Sequence, residues 1–247
     1  KIQPLLNQLT SQSNRILEDV VRKGQMLTWG IPVKRDRLIV NIKAKHEQVI
    51  PANNILDLET YSINGLISEF AYYSLKSRFN PKQGGYLSIE QEQGVVINNS
   101  GIKFRRTTID TATFIPMTQN SVLGIHFNGG IFNSQEKQIQ TFEQEQFFLG
   151  GTYSIRGYNE TTYPFSGYKK LLFNIEFRKD FFKKLQWVLF YDCGDAFNNY
   201  KNISMNQFHF GYGVGIRYFT PVGPIRFDFA RNETGGYRLH FGLGQLF

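Results

Sequence analysis

Apolar and polar side chains alternate strictly over the last forty residues of the chain. Aromatic and aliphatic residues hold every second position from Phe208 to Tyr218, and His209, Arg217 and glycines lie between them. The alternation returns after Thr220 and again from Tyr237. Successive side chains of a β-strand point to opposite faces, so the pattern predicts three strands with one aromatic-rich apolar face. The other face mixes charge with glycine, which is typical of a transmembrane β-barrel with a polar lumen.

The same pattern predicts most of the remaining strands. A first hairpin is predicted over 25–33 and 37–45, followed by a weaker strand over 54–63. The firmer strands are mostly long enough for a tilted membrane span of about 9–11 residues. They cover 66–79, 85–97, 101–115, 121–132, 169–179, 185–194, 207–219, 224–231 and 236–247. The predicted fold class is therefore all-β, an antiparallel transmembrane β-barrel of the outer membrane, with nine to twelve strands visible in the sequence.

Two segments depart from the strand pattern. Residues 1–23 carry leucine, isoleucine and valine at roughly helical spacing, which predicts a helical or linker segment. Residues 24–247 are predicted as the barrel, firm from 66 onwards, and within it 133–168 is a long connector without a strong strand pattern. Connectors of that length in a compact domain are usually functional. No secretory signal is visible at the start, so we expect a mature, processed or partial sequence.

Composition fits this class and weakens others. The 13 Tyr and 23 Phe are enough for aromatic girdles at two membrane interfaces. No apolar stretch approaches the roughly 20 residues of a membrane helix. The net charge of +8 raises nucleic-acid binding as a class, but the basic residues are dispersed and favour contacts with lipid headgroups or the lumen. The single cysteine, Cys193, excludes an internal disulfide and shares the predicted lipid-facing parity of Leu189 and Tyr191.

The long connector contains Gly150-Gly151 followed by Arg156-Gly157-Tyr158. Further blocks follow in order at 174–177, 190–195, 213–226 and 240–247. In this order of motifs the chain resembles the BamA-like outer-membrane protein assembly family, well over 120–247 and loosely over 66–120. The resemblance implies sixteen strands and a long loop, 133–168, folded into the lumen. It also implies a C-terminal assembly signal, for which the candidate residues are His240, Gly242, Gly244 and Phe247.

The motif points to a charge contact inside the barrel. Glu176 and Asp192 have the lumen-facing parity of their predicted strands, and Arg156 lies in the connector. A guanidinium presents five donors in a planar fork that suits carboxylates, so we expect Arg156 to pair with one or both acids. Gly157 allows a close approach of the backbone to the wall. On spacing alone a solvated loop is an equal alternative; the resemblance favours a loop lock comprising Arg156, Gly157, Tyr158, Glu176 and Asp192.

The expected function follows from the resemblance. It implies a barrel that assists folding and insertion of other outer-membrane proteins in the bacterial outer membrane. The partners would be the lipid bilayer, unfolded client proteins and accessory assembly subunits, with no nucleic acid. We expect no catalytic residues, metal or cofactor, because the histidines form no ligand-spaced cluster and no Gly-x-Ser-x-Gly motif is present.

Three alternatives remain open at this point. A two-partner secretion transporter belongs to the same superfamily, although the turn Thr220-Pro221-Val222-Gly223-Pro224 favours the assembly branch. A barrel that anchors an upstream enzyme domain would be recognised only from sequence preceding this chain. An outer-membrane hydrolase barrel is disfavoured because no nucleophile motif is present.

Overall fold

The computed structural model describes residues 20–34, 37–51, 60–97, 101–135, 144–159, 165–199 and 207–247. Within these ranges, eleven strands form one antiparallel sheet, and two short strands form a separate hairpin. The sheet consists of β1 (Val20–Lys34), β2 (Leu38–Pro51), β3 (Tyr61–Tyr73), β4 (Gly84–Ile97), β5 (Lys103–Thr118), β6 (Ser121–Ser134), β9 (Lys169–Phe182), β10 (Leu185–Phe197), β11 (His209–Thr220), β12 (Gly223–Asn232) and β13 (Tyr237–Leu243). The hairpin consists of β7 (Phe147–Leu149) and β8 (Phe165–Gly167). None of the described residues belongs to a helix that is long and apolar enough to cross a membrane.

Neighbours in the sheet are also neighbours in the sequence, except where β6 pairs directly with β9. The connector between β6 and β9 contains β7 and β8, which pair with each other and not with the wall. This connector contacts both ends of the sheet, because Arg22 of β1 and Arg226 of β12 each donate to one of its backbone carbonyls. The sheet therefore curls around the connector as a barrel wall, and the predicted fold class is confirmed.

The two faces of the wall carry side chains of opposite character. On β11, Tyr212 and Val214 are 42% and 53% exposed on the outer face, whereas Arg217 on the inner face is fully buried. On β12, Phe227 is likewise exposed and Asp228 is buried. Soluble proteins place apolar side chains inside and charges outside. The reversed distribution is the one expected of a wall with lipid outside and a polar lumen inside, as the alternation predicted.

The start of the sheet differs from the sequence prediction. Strand β1 begins at Val20, so residues 20–23, predicted as the end of a helix or linker, belong to the first strand. The pairing partners of this segment on β2 explain the difference: Arg22 lies opposite Val49 and reaches the carboxylate of Glu47 at 3.4 Å. Residues 1–19 of that prediction lie outside the described ranges.

Strand β3 also departs from the prediction. It runs through Gly65 without a break, where two strands, 54–63 and 66–79, were expected. Gly65 pairs with Gly94 on β4, so the ladder continues past the small residue. Residues 54–59 lie outside the described ranges.

The connector after β3 begins at Ser74, because the strand ends at Tyr73, six residues before its predicted end at 79. It crosses the turn end of the barrel, where Lys82 pairs with Asp180 and Asn80 accepts a hydrogen bond of 3.4 Å from Gln186 Nε2. A cavity of about 980 Å³ in the lumen is bordered by this connector on one side and by residues 147–150 and 153–154 on another.

The C-terminal strand is shorter than predicted. The prediction ran to Phe247, but β13 ends at Leu243 and Gly244 adopts φ +86°, a conformation that few residues other than glycine accept. The chain turns there into the lumen. The Phe247 ring stacks on His126 with centroids 4.9 Å apart, and the Arg178 guanidinium lies 4.8 Å above it. Strict alternation would have placed Phe247 on the lipid face, so the turn reverses its position.

Candidate functional site: a loop held in the lumen

The connector between β6 and β9 fills part of the lumen, and its described segment 144–159 is called the lumen loop below. Its apolar residues anchor it to the wall. Leu149 and Ile155 are buried with Leu172 of β9 and Ala196 of β10. Phe147 belongs to a second cluster, with aromatic and aliphatic side chains of β2 to β6. Burial of these side chains places the polar groups of the loop against the inner wall.

Arg156 lies at the centre of the loop contact and is completely buried. Its Nε and Nη2 donate to the two carboxylate oxygens of Asp192 at 2.7 and 2.8 Å, a bidentate pair. Its Nη1 donates to Glu176 Oε1 at 2.7 Å and to Asp228 Oδ2 at 3.1 Å. The guanidinium carbon also lies 3.5 Å from the centroid of the Phe190 ring. Both contacts expected from the sequence are formed, and a third acid joins them.

The acids around Arg156 are shared with three further arginines on the wall. Glu176 accepts from Arg178 Nε at 2.7 Å and from Arg217 at 3.4 Å. Asp228 contacts Arg217 and lies 3.6 Å from Arg226 Nε. These side chains, together with Arg156 and Asp192, are called the lumen network, and all of them are fully buried.

The lumen network carries four guanidinium groups and three carboxylates. Nε and Nη1 of Arg226, Nε of Arg217 and Nη1 of Arg178 are buried without a hydrogen-bond partner among the described residues. The carboxylates are therefore the limiting groups. Removing one partner from a buried charge pair costs about 3–5 kcal/mol, because the remaining charge stays desolvated and uncompensated.

Neighbouring polar groups fix the backbone of the loop. The N–H of Gly157 donates to His240 Nε2 at 3.0 Å, so the neutral ring carries its proton on Nδ1, which lies 2.9 Å from Thr152 Oγ1. Asn232 Nδ2 donates to the Gly157 carbonyl at 3.0 Å. Gly157 is thus held on both sides by the wall, which fits the close approach expected of it.

Tyr158 lies at the outer end of the site. Its hydroxyl donates to Glu233 Oε1 at 2.9 Å, and the same oxygen lies 2.6 Å from His209 Nδ1. Partial burial alone would raise the pKa of Glu233, but the hydrogen bonds from His209 and Tyr158 hold it below its usual range. The turn between β12 and β13 is thereby joined to the loop.

The candidate residues of the C-terminal signal fall into two places. His240 and Gly242 face the lumen from β13, and Gly242 pairs with Arg226 of the lumen network. Gly244 forms the turn after the strand, and Phe247 contacts the network through Arg178, whose Nη2 donates to the Phe247 carbonyl at 3.2 Å. The structure therefore brings the C-terminal residues and the loop residues to one network.

Sequence reasoning did not connect four of the network residues with the loop. Asp228, Arg226 and Arg217 lie on the polar face of their predicted strands, and Arg178 lies near the end of the predicted strand 169–179. Strand parity alone locates the first three in the lumen. Their convergence on Arg156 depends on the curvature of the sheet, which alternation does not report.

A family model described as the Omp85 superfamily domain matches residues 19–247. The chain belongs to the Omp85 superfamily.

Two chloroplast proteins of Arabidopsis thaliana are similar in sequence. Outer envelope protein 39 is 27% identical over 169 residues, which cover 65% of this chain and 45% of that protein. Outer envelope protein 80 is 31% identical over 108 residues, 40% of this chain and 15% of that protein. The chain spans less than half the length of these relatives.

A solved structure has the same fold. The crystal structure of BamA from Haemophilus ducreyi lacking POTRA domains 1–3 superposes with a TM-score of 0.68 at 14% sequence identity. The match covers 91% of this chain and 53% of that one. The chain is therefore an outer-membrane β-barrel of the Omp85 superfamily. Eleven barrel strands are present in the described ranges, and the expectation of sixteen remains a prediction.

Proposed function

We propose that this Omp85 barrel assists the folding and insertion of other β-barrel proteins into an outer membrane. The observation that carries the proposal is the buried contact of Arg156 with Glu176, Asp192 and Asp228. It holds a loop against the inner wall of the barrel. The proposed protein partners are unfolded clients and accessory assembly subunits, and no cofactor takes part.

The lumen network supports this function because it holds the loop against several strands of the wall. The loop contacts β9, β10 and β12 through Arg156 and β13 through Gly157. These strands approach one edge of the sheet, since β13 pairs only with β12 among the described strands. An edge strand offers unpaired backbone groups to another strand. We infer that the loop lock keeps this end of the wall in one shape while a client strand is received there.

Substitution of Arg156 tests the proposal. Arg156→Ala should leave a folded barrel, loosen the lumen loop and lower the rate at which vesicles containing the protein fold an added client barrel. Arg156→Lys should restore little of that rate, because an ammonium cannot bridge three carboxylates with a planar fork. The measurements are protease protection of the loop, heat-modifiable gel mobility of the barrel, and client folding. Arg105→Ala, which removes an exposed arginine from β5, is the matched control.

Two results would contradict the proposal. One is a wild-type protein that gives clients no faster folding than empty vesicles. The other is an Arg156→Ala variant with a loosened loop and an unchanged client folding rate, because the lock would then have no part in assembly. Export of a client through the barrel, without its insertion, would instead support a secretion transporter.

The membrane proposed is a bacterial outer membrane. The chloroplast outer envelope proteins of Arabidopsis thaliana favour a second candidate, the outer envelope of a plastid. Fractionation of source cells with an antibody to this chain separates the two, because only one of these membranes would carry the protein.

A further inference from the structure

The lumen loop has a second charged contact, made to β1 and β5. Glu145 is 1% exposed, and its two carboxylate oxygens accept from Arg22 of β1 and Arg106 of β5, each at 2.6 Å. Arg22 also donates to the Gln144 carbonyl at 2.7 Å, and Arg106 donates to the Glu145 carbonyl at 2.7 Å. The hydroxyl of Tyr61 on β3 donates to Gln144 Oε1 at 3.1 Å. This set of contacts is called the Glu145 anchor.

The charges around the Glu145 anchor are well matched. Burial alone would raise the pKa of Glu145, but Arg106 and Arg22 hold it below its usual range, so the side chain stays ionised. Arg22 has a further, longer contact of 3.4 Å with Glu47 on β2. The Arg106 guanidinium lies 5.5 Å from the centroid of the Phe147 ring, a contact with the first residue of β7.

Strand β1 buries few of its side chains. Among the described strands it pairs only with β2, whereas β2 to β12 each pair on both sides, apart from the separate hairpin. Most side chains of β1 from Lys23 onwards are exposed on both faces, and Arg22 is one of its few partly buried residues. A strand with little burial opens at low free-energy cost unless another contact holds it.

We propose that Glu145 is a positioning residue that ties strand β1 to the lumen loop. The loop then joins two separate parts of the sheet, through Glu145 at β1 and β5 and through Arg156 at β9, β10 and β12. The inference goes beyond the proposed assembly function, because the loop and β1 are coupled whether or not a client is present. If β1 moves away from the lumen, the contacts of Glu145 must break or the loop must move with it. If the loop leaves the wall, β1 loses these contacts.

Hydrogen exchange on the purified, folded barrel tests the coupling. Glu145→Gln keeps the shape of the side chain and removes its charge. It should raise amide exchange about tenfold or more in both β1 and the lumen loop, as expected for loss of a buried charge pair. Glu47→Gln is the matched control, since it also takes a carboxylate from Arg22 but leaves the loop contact intact. It should leave exchange in the loop unchanged.

A double-mutant cycle shows whether Arg106 and Glu145 affect amide exchange through their common contact or independently. If Arg106 and Glu145 act as one contact, Arg106→Gln combined with Glu145→Gln should be no worse than Glu145→Gln alone. Arg106→Gln also serves if Glu145→Gln fails to fold, because it keeps the pair between Arg22 and Glu145. Faster exchange in the loop with unchanged β1 would overturn the proposal, and so would equal effects of Glu47→Gln and Glu145→Gln.

The test does not depend on assembly activity. Exchange is measured without clients, so failure of client folding would reject the proposed function and leave the coupling result standing. Conversely, normal client folding by a protein whose β1 and loop exchange independently would reject only the coupling.

Discussion

Arg156 has three carboxylate partners that all follow it in the sequence, on three different strands. The resemblance to a known family drew attention to this arginine, and strand parity located two of its partners. Full burial changes the energetic expectation. In a wet lumen an ion pair would contribute the surface value of about 0–1 kcal/mol. At zero exposure, loss of one partner is expected near the buried value of about 3–5 kcal/mol.

A glycine of the wall gives a prediction at the residue scale. Gly211 of β11 lies directly under the loop, and a Cβ there would overlap the carbonyl oxygen of Arg156. Gly211→Ala should therefore push the loop from the wall and destabilise its docked state by about 1–3 kcal/mol, the usual cost of overpacking. The measurement is the protease concentration that cleaves the loop in the folded barrel.

Gly124→Ala provides the comparison, because the nearest atom to a Cβ there is in the movable ring of Phe247, at 3.0 Å. It should affect the loop less. Equal cleavage of the two variants would show that the close approach at Gly211 does not limit docking.

At the scale of elements, the C-terminal segment gives a second prediction. Gly244 adopts φ +86°, which directs residues 245–247 into the lumen instead of along the wall. Gly244→Ala should strain this turn by about 1 kcal/mol or more and release the contacts of Phe247 with His126 and Arg178. The midpoint temperature of the heat-dependent gel shift should fall.

Deletion of Phe247 distinguishes the contribution of the Gly244 turn to stability from that of the Phe247 ring contacts. If the ring contacts carry the effect, the deletion should lower the midpoint as much as Gly244→Ala does and should also impair insertion of the protein itself. A deletion variant with normal insertion and an unchanged midpoint would contradict both expectations.

Elements with one lipid face and one lumen face could be predicted from sequence, because a period of two is a direct consequence of strand geometry. Strands β5, β6 and β9 to β12 were located in this way. The ends of the strands could not be predicted as well from the sequence. The turn at Gly244 and the connector that starts at Ser74 depend on contacts across the lumen with β6, β9 and β10, which no local pattern records. The Glu145 anchor was missed for the same reason, since its partners lie 123 and 39 residues away.

The whole molecule is stable in lipid only if its outer face stays apolar. Val214 lies in the middle of β11 on that face and is exposed. Val214→Arg should destabilise the folded barrel in vesicles by about 2–4 kcal/mol if it lies near the bilayer midplane. Leu243→Arg, at the end of β13 on the same face, should cost only about 0–1 kcal/mol because the side chain reaches the interface.

Urea-dependent folding into vesicles of defined composition provides both free energies. The same two variants in a detergent micelle, which adapts to a charged side chain, serve as a check that the protein still folds. Equal destabilisation by both substitutions in vesicles would contradict the assigned depth of β11.

All the carboxylate partners of Arg156 lie after it in the chain, which bears on the order in which the barrel forms. Glu176, Asp192 and Asp228 follow their partner Arg156 by 20, 36 and 72 residues. His240 follows its partner Gly157 by 83 residues. The loop therefore cannot settle until the last strands have arrived, and an incomplete wall leaves its guanidinium beside too few carboxylates. We therefore expect the loop to dock only after β9, β10, β12 and β13 have formed their part of the wall.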